Sequence, residues 1–151
     1  MFHLMRHAEA GWGAATDSER ELTAAGKAQL TLLAGNQRAL FSPVQKVICS
    51  PYLRTRQTAL LISQHLEGVD IEYEDDLTPE TSSQQALAAI ERHWCDNLLV
   101  VTHQPLIGNL ISLLEQGDLR YPEPVVPGSV YSYIMAWPGP GCAQRRSVCS
   151  S

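Results

Sequence analysis

The sequence predicts an α/β fold, a three-layer α/β/α sandwich whose central sheet is mostly parallel. Short apolar segments typical of buried strands alternate along the chain with longer segments in which apolar residues recur at helical spacing. The chain has 151 residues, of which 44% are hydrophobic, and it contains no internal repeat. Together these observations favour a single domain with a substantial core.

The first half of the chain begins this alternation at its first residues. Thr23 has the side chain of a helix N-cap, and the apolar residues that follow it repeat at helical spacing as far as Leu40. Glycine, serine and aspartate concentrate just before Thr23, where they predict a loop. The predicted elements are, in order, a strand at 2–5, a loop at 8–20, a helix at 23–40, a strand at 46–49, a helix from Ser50-Pro51 to about Leu66 and an edge strand at 71–73.

The second half continues with a third helix, a strand and a fourth helix. The LLVV segment at 98–101 predicts a buried strand, and the helix after Pro105 has a broad apolar stripe that predicts a core-facing surface. The third helix is predicted at 83–93 and the final strand at 130–136. The segment 138–151 is rich in Gly, Pro and Ser with few apolar residues, so we expect a domain at 1–137 and a flexible C-terminal tail.

Charge and hydropathy exclude several classes of function. The formal net charge is -5, which argues against a general affinity for nucleic acid. No run of about 18 apolar residues occurs, so no membrane-spanning segment is predicted. The N-terminal residues lack the apolar stretch of a signal peptide, and the cytoplasm is the expected location.

The four cysteines form no CxxC pair and have no metal-ligand spacing. We therefore expect free thiols, with a disulfide between the last two as an open alternative. A metal site built on His3, His7 and His103 is a less favoured alternative, because no Asp or Glu beside them completes a known ligand pattern. The cysteines are Cys49, Cys95, Cys142 and Cys149.

Arginine and histidine residues follow three of the predicted strands at the point where each strand ends. Arg6 and His7 follow the first strand, Arg54 lies shortly after the second, and His103 follows the LLVV strand. In parallel sheets the carboxyl ends of the strands face a common ligand crevice. The sequence therefore predicts that two arginines and two histidines meet at one rim of the sheet.

This combination of side chains suits a phosphoryl group better than a neutral substrate. Guanidinium groups match phosphate oxygens with a rigid set of donors, and helices that begin near Pro51 and Pro105 could add their N-terminal dipoles. A neutral histidine attacks phosphorus through one ring nitrogen, and a backbone carbonyl bonded to the other nitrogen would fix its tautomer. We therefore predict His7 as the nucleophile of a two-step hydrolysis that ends with water.

Three motifs in this order resemble those of the histidine phosphatase superfamily, which is also described as phosphoglycerate mutase-like. The short length and a fourth stretch make the chain most similar to the SixA-type phosphohistidine phosphatases of that superfamily. The resemblance extends from residue 1 to about residue 136. The motifs are Met5-Arg6-His7, Ser50-Pro51-x-x-Arg54-x-x-Gln57-Thr58 and Thr102-His103-x-Pro105-Leu106-x-Gly108, and the fourth stretch is Asp17-Ser18-x-Arg20-x-Leu22-Thr23-x-x-Gly26.

The resemblance implies specific roles. His7 would be the phosphorylated nucleophile, while Arg6, Arg54 and His103 would hold the phosphate, without a metal or an organic cofactor. SixA-type members remove phosphate from a histidine of a phosphotransfer protein in signalling, so the implied partner is a phosphorylated protein such as a histidine phosphotransfer domain. The short segment between the second helix and the LLVV strand implies that no large lid covers the site, which would suit a protein surface.

Several points stay open at this stage. Ala8 stands where the family often has glycine. Many relatives have a glutamate as proton donor in the loop after the third strand, and Glu80, which lies within one residue of that position, is the candidate here. A phosphohistidine leaves as an imidazole with a pKa of about 6.5, so it needs little help from an acid. Arg20 is expected either to contact the phosphorylated partner or to pair with Glu19 or Glu21. The alternative functions are a phosphatase for a small phosphorylated metabolite and a catalytically idle module that binds phosphoproteins.

Overall fold

The computed structural model describes residues 1–150, which form a six-stranded mixed sheet. The strand order across the sheet is β3-β2-β4-β1-β5-β6. The first four strands in this order pair in parallel, whereas β5 and β6 are antiparallel to their neighbours. The predicted α/β class with a mostly parallel sheet is thus confirmed. The strands are β1 (Phe2–Arg6), β2 (Lys46–Cys49), β3 (Ile71–Tyr73), β4 (Leu98–Thr102), β5 (Val130–Ile134) and β6 (Gln144–Cys149).

Helices cover both faces of the sheet and complete the three layers. The residues of α1 and α3 pack into a core on one face, and those of α4 and α5 pack into a core on the other. Short 3₁₀ turns occur at Asp17–Glu19 and Asp75–Leu77. The helices are α1 (Ala24–Asn36), α2 (Arg38–Phe41), α3 (Leu53–Ser63), α4 (Ser83–Arg92) and α5 (Leu106–Gln116).

The central strands are buried on both faces, which explains why they are continuously apolar in the sequence. On β1, Leu4 packs into the core that contains Ile107 of α5. The next residue, Met5, packs into the opposite core with Leu30 and Ile62 of α1 and α3. Because successive side chains of a strand point to opposite faces, one short apolar strand contributes to both cores.

The helix predicted at 23–40 is interrupted. Its N-terminus is as predicted, since the Thr23 hydroxyl accepts a hydrogen bond from the Gly26 amide at 3.0 Å. At Gln37, however, the backbone leaves the helical region, with φ -116° and ψ 39°, and the four-residue helix α2 follows. The interruption redirects the chain so that Phe41, 2% exposed, packs into the same core as Leu30.

The second predicted helix begins later than expected. Tyr52 is extended, with ψ 145°, and α3 begins at Leu53 rather than at Ser50. Residues 50–52, between β2 and α3, are therefore not helical. Ser50 lies directly after β2, and its amide donates to the backbone oxygen of Val101 in β4 at 3.2 Å.

The prediction of a flexible tail at 138–151 is wrong for residues 144–149, and residue 151 lies outside the described residues. Residues Gln144–Cys149 form β6, which pairs with β5 in antiparallel register, Val130 lying opposite Cys149. Side chains of β6 are alternately exposed and partly buried, so the strand lacks an apolar signature. Its order derives from backbone pairing along β5 and from ion pairs of Arg145, neither of which is visible in composition.

The cysteines are free thiols, so the alternative of a disulfide between Cys142 and Cys149 is wrong. Cys49 is buried at the end of β2, and burial raises the pKa of its thiol to about 12. Within the described range 1–150, no helix is long and apolar enough to cross a bilayer.

Candidate active site

The register of the parallel strands brings the predicted residues to one edge of the sheet. Beyond the last paired residues of β1 and β4, the His7 amide donates to the backbone oxygen of Thr102 at 3.1 Å. His103 is the next residue after Thr102, and Ser50 is joined to the same strand end. The rings of His7 and His103 consequently lie with their centroids 5.3 Å apart.

His7 is held in one tautomer by its neighbour in the sequence. Its Nδ1 lies 2.7 Å from the backbone oxygen of Ala8, and because a carbonyl can only accept, Nδ1 carries the proton. The lone pair is therefore on Nε2. Burial lowers the pKa of His7 to about 4, with a further decrease from the charges of Arg54 and Arg6. His7 is thus a neutral imidazole at pH 7, the form that can act as a nucleophile.

The loop after His7 is fixed by α3. The Ala8 amide donates to the hydroxyl of Thr58 at 3.1 Å, and that hydroxyl donates to the backbone oxygen of Arg54 at 2.8 Å. Ala8 is fully buried, and among the non-glycine residues of 1–150 a positive φ occurs at Asn97 alone. Alanine in place of the glycine common in the family therefore needs no unusual backbone angle here.

Arg54 extends from the first turn of α3 and is 4% exposed. Its Nη1 donates to the backbone oxygen of Asp17 at 2.6 Å, and its Nη2 donates to Oδ2 of the same residue at 3.2 Å. The guanidinium carbon also lies 5.2 Å from the ring centroid of Tyr52, a cation–π arrangement. These contacts hold the guanidinium group in a single orientation.

Arg6, at the end of β1, is the second cation at this edge. Its Nη1 donates to the backbone oxygen of Val125 at 2.6 Å. Burial lowers the pKa of Arg6, and the charges of Arg54 and Arg20 lower it further, which reflects how close together the three arginines lie. An arginine remains protonated in spite of such a decrease, so this edge of the sheet concentrates positive charge.

His103 is 1% exposed, and its Nε2 lies 2.8 Å from the hydroxyl of Ser50. Burial, followed by His7 and the nearby arginines, lowers the pKa of His103 to about 2. A serine hydroxyl can donate as well as accept, so Nε2 can be the acceptor while Nδ1 carries the proton. The ring of Tyr52 packs against His103 edge-on at 5.1 Å and limits its rotation.

Three polar atoms at this edge are buried and have no hydrogen-bond partner within residues 1–150. They are Nε of Arg6, Nε of Arg54 and Nδ1 of His103. Buried polar atoms without partners cost stability and are rare, so a cluster of them indicates a site for a ligand. An anion with several acceptor oxygens would satisfy all three, and a phosphoryl group is such an anion.

Glu80 takes no part in the side-chain hydrogen bonds and ion pairs described for residues 1–150 at this edge. It is exposed, and in the described part of the chain it forms no ion pair with the arginines at the edge. Its loop is nevertheless tied to the same edge, because the hydroxyl of Thr102 donates to the backbone oxygen of Leu77 at 2.6 Å. A role for Glu80 as proton donor stays a prediction.

Arg20 pairs with neither of the residues proposed from the sequence, Glu19 and Glu21. Its Nε donates to the backbone oxygen of Gly11 at 2.9 Å, and its Nη1 lies 3.2 Å from Oδ1 of Asp17. The guanidinium carbon lies 3.6 Å from the ring centroid of Trp12. The stacked Trp12–Arg20 pair therefore lies at the rim, where Asp17 joins it to Arg54.

The alternative metal site is not formed. Across residues 1–150, no group of three or more His, Cys, Asp or Glu side chains is arranged to hold a metal ion. His3, one of the three histidines considered, is instead bonded to the hydroxyl of Ser132, with Nδ1 at 2.7 Å from that oxygen.

Four residues at the site were not singled out from the sequence as contributors. Three of them, Ser50, Thr58 and Asp17, lie within the motif stretches, and that location could have indicated a role at the site. Val125 had no such signal, because its contribution is a backbone oxygen that any residue type could provide.

Comparison with known proteins agrees with this fold. Residues 2–79 match the sequence profile of the Histidine phosphatase superfamily (branch 1). The phosphohistidine phosphatase SixA of Escherichia coli (strain K12) is 32% identical over 119 residues, covering 76% of this chain and 74% of that protein.

Solved structures of other proteins share this fold. The protein histidine phosphatase SixA complexed with tungstate superposes with a TM-score of 0.86 at 27% identity, over 99% of this chain and 96% of that one. A phosphoserine phosphatase from Entamoeba histolytica shares the fold with a TM-score of 0.72 at 15% identity, over 99% and 96% of the two chains.

The fold is that of a single-domain α/β protein with a mostly parallel sheet, and two histidines and two arginines meet at the carboxyl edge of that sheet. The chain belongs to the histidine phosphatase superfamily (branch 1). Within that superfamily it is similar to the SixA phosphohistidine phosphatases.

Proposed function

We propose that this protein is a metal-independent phosphohistidine phosphatase that removes phosphate from a histidine of a phosphotransfer signalling protein. The observation that carries the proposal is the state of His7, whose Nδ1 proton is held by the Ala8 carbonyl and whose pKa is lowered to about 4. A neutral nucleophile with a fixed tautomer lies beside three buried polar atoms that lack partners within residues 1–150.

In the first step, Arg6, Arg54 and His103 hold the phosphoryl oxygens of the substrate. The lone pair on His7 Nε2 attacks phosphorus, and the P–N bond to the substrate histidine breaks with its electron pair going to the departing imidazole. That imidazole has an ordinary pKa of about 6.5, so it is readily protonated at neutral pH and leaves without a strong acid. This requirement suits a site in which Glu80 is exposed.

In the second step, water attacks the phosphoryl group on His7. The bond between phosphorus and Nε2 breaks, its electron pair returns to Nε2, and inorganic phosphate is released. The carbonyl of Ala8 keeps the proton on Nδ1 throughout and stabilises the positive charge that the ring carries while phosphorylated. The arginines stabilise the charge on the transferring group, which is usually the largest contribution to this kind of catalysis.

The lack of a large insertion between α3 and β4 supports a protein substrate. The segment between α3 and β4 consists mainly of β3, which belongs to the sheet, and α4, which packs on it. It therefore leaves no long stretch of chain to cover the site. At the rim, Trp12 is 82% exposed with Arg20 stacked on it, an aromatic side chain available to a partner surface. A small metabolite would benefit from an enclosing pocket more than a protein surface would.

The test is the loss of radiolabelled phosphate from a histidine-phosphorylated phosphotransfer protein. We expect rapid loss with the wild type, none with His7→Ala, and wild-type behaviour with His65→Ala, which changes an exposed histidine after α3. If the protein leaves this label in place but hydrolyses a small phosphate ester through His7, the metabolite phosphatase replaces the proposal. Binding of the phosphoprotein without turnover of either substrate would identify a binding module instead.

A further inference from the structure

We propose that Arg145 is a positioning residue for Arg6, and that it acts from the C-terminal strand β6 through Glu123 and the backbone oxygen of Val125. This inference rests on the anion-binding role proposed for Arg6. It gives a function to a strand that the sequence suggested was a tail.

Arg145 joins two carboxylates that come from different parts of the chain. Its Nη2 lies 2.6 Å from Oε2 of Glu115, at the end of α5, and 2.6 Å from Oε1 of Glu123, in the connection to β5. Its Nε donates to the same Glu115 oxygen at 3.0 Å. The three side chains are 32%, 18% and 29% exposed, so solvent weakens these ion pairs less than it would at an open surface.

Glu123 is also fixed through its backbone. Its amide donates to the backbone oxygen of Gly108 at 3.3 Å, and its own oxygen accepts from Nε2 of Gln104 at 3.3 Å. A Cβ atom at Gly108 would collide with the Glu123 oxygen, so the two backbones are in close contact. The backbone of Glu123 is therefore fixed against the start of α5, and its side chain is fixed by Arg145.

The segment that follows Glu123 transmits this position over a short distance. Pro122, Pro124 and Pro127 restrict the backbone angles of the segment and of the residues before them. Val125, 3% exposed, lies two residues beyond Glu123, and its oxygen accepts the 2.6 Å hydrogen bond from Arg6 Nη1. A displacement of Glu123 would accordingly displace the acceptor that orients the Arg6 guanidinium group.

Removing the charge of Arg145 leaves Glu115 and Glu123 without their shared cation. The two carboxylates then repel one another, and the favoured response is for Glu123 to move toward solvent, since it is the more exposed of the two. Each carboxylate keeps a tyrosine hydroxyl as a partner, Tyr133 for Glu115 at 2.8 Å and Tyr131 for Glu123, so the greater exposure of Glu123 decides which of the two moves. The movement is therefore expected on the Glu123 side, toward Val125 and Arg6.

The experiment measures the dissociation constant of tungstate, an oxyanion probe of the site, by calorimetry well below the unfolding temperature. Arg145→Met should raise the dissociation constant about tenfold, because displacement of a binding group by a fraction of an ångström is costly. Arg145→Lys, which keeps the charge but not the two-sided geometry, should recover part of the loss.

Glu115→Gln is the matched control, since it weakens the same cluster and lowers the unfolding temperature but leaves the pair of Arg145 with Glu123. It should change tungstate affinity by less than about twofold, as should Arg146→Met on the exposed side of β6. Equal tungstate affinity for Arg145→Met and Glu115→Gln would overturn the proposal. If Arg6→Met itself leaves the affinity unchanged, the anion site proposed for this edge is wrong, which is a separate result.

Discussion

Asp17 holds Arg54 through two of its groups, the backbone oxygen at 2.6 Å from Nη1 and the carboxylate Oδ2 at 3.2 Å from Nη2. The other carboxylate oxygen lies 3.2 Å from Nη1 of Arg20. One exposed acidic residue thus joins two cations at the edge where anion binding is proposed. Although partial burial would raise the pKa of Asp17, hydrogen bonds from Arg20 and Arg54 lower it overall.

Asp17→Asn should strengthen oxyanion binding. The carboxylate is 56% exposed, so its ion pairs contribute little to orientation, and the stronger backbone contact to Arg54 is retained in the variant. Removing one negative charge beside the site should lower the dissociation constant of tungstate about two- to fivefold at low salt. The difference should shrink in concentrated salt, and weaker binding at low salt would mean that the carboxylate mainly orients Arg54.

The imidazole rings of His7 and His103 should not change protonation state near neutral pH. Burial lowers their pKa values to about 4 and about 2, so both rings stay neutral between pH 5.5 and 8 in the free protein. Nuclear magnetic resonance of the ring protons, assigned with His7→Ala and His103→Ala, measures this directly. A midpoint near 6.5 for His7 would contradict the structural account of its environment.

The free energy of unfolding should rise with pH between about 4 and 6.5, in part because of His3. Burial lowers the pKa of His3 to about 4, below its unfolded value of 6.5, so in this window the unfolded chain binds more protons. Each such histidine contributes a slope of up to about 1.4 kcal/mol per pH unit. In urea unfolding at pH 5 and pH 7, the free energy of unfolding of His3→Gln should differ less between the two pH values than that of the wild type, and an unchanged difference would contradict this account of His3.

Trp12→Ala should separate protein substrates from small ones. Trp12 is 82% exposed at the rim and stacks on Arg20, so its removal would weaken contact with a partner protein while leaving His7 and its neighbours intact. We expect KM for a phosphorylated phosphotransfer protein to rise about tenfold, with kcat/KM for a small phosphate ester unchanged.

Trp137→Ala provides the control for this variant. Trp137 is also exposed, at 55%, but it follows β5 at the opposite end of the sheet from His7. Trp137→Ala should change neither KM for the protein substrate nor kcat/KM for the small phosphate ester. Equal effects of the two tryptophan variants on the protein substrate would show that Trp12 does not contact the partner.

Two glycines of α1 should respond in opposite directions to alanine. A Cβ at Gly26 would lie 2.5 Å from the backbone oxygen of Glu9, so Gly26→Ala should destabilise the protein by about 1–3 kcal/mol and displace the loop after His7. Gly35 has no atom within 4 Å of an added Cβ, and Gly35→Ala should stabilise by roughly 0.5 kcal/mol. Thermal unfolding measures both, and loss of activity is expected for Gly26→Ala alone.

The sequence predicted most of the parallel part of the fold, because the signals there are local. Strands buried on both faces must be continuously apolar, as at 98–101, and Thr23 marks a helix start through its own side chain. The rule that parallel strands end at one edge then placed Arg6, His7 and His103 together, as the structure does.

Other features were decided by tertiary contacts. The break at Gln37 depends on where Phe41 can pack, and β6 depends on the free edge of β5 rather than on its own composition. Both involve residues distant in sequence, so neither has a periodic signal of its own.

The amino-acid sequence by itself determined the fold class, the alternation of strands and helices from β1 to β5, and the residue types that meet at the edge of the sheet. The tertiary structure decided which atoms orient them: the carbonyls of Ala8, Asp17 and Val125 and the carboxylate that Arg145 holds. The physical reason is that a backbone oxygen is the same in every residue. Its position is set by packing across the whole chain, so no local pattern of side chains encodes it.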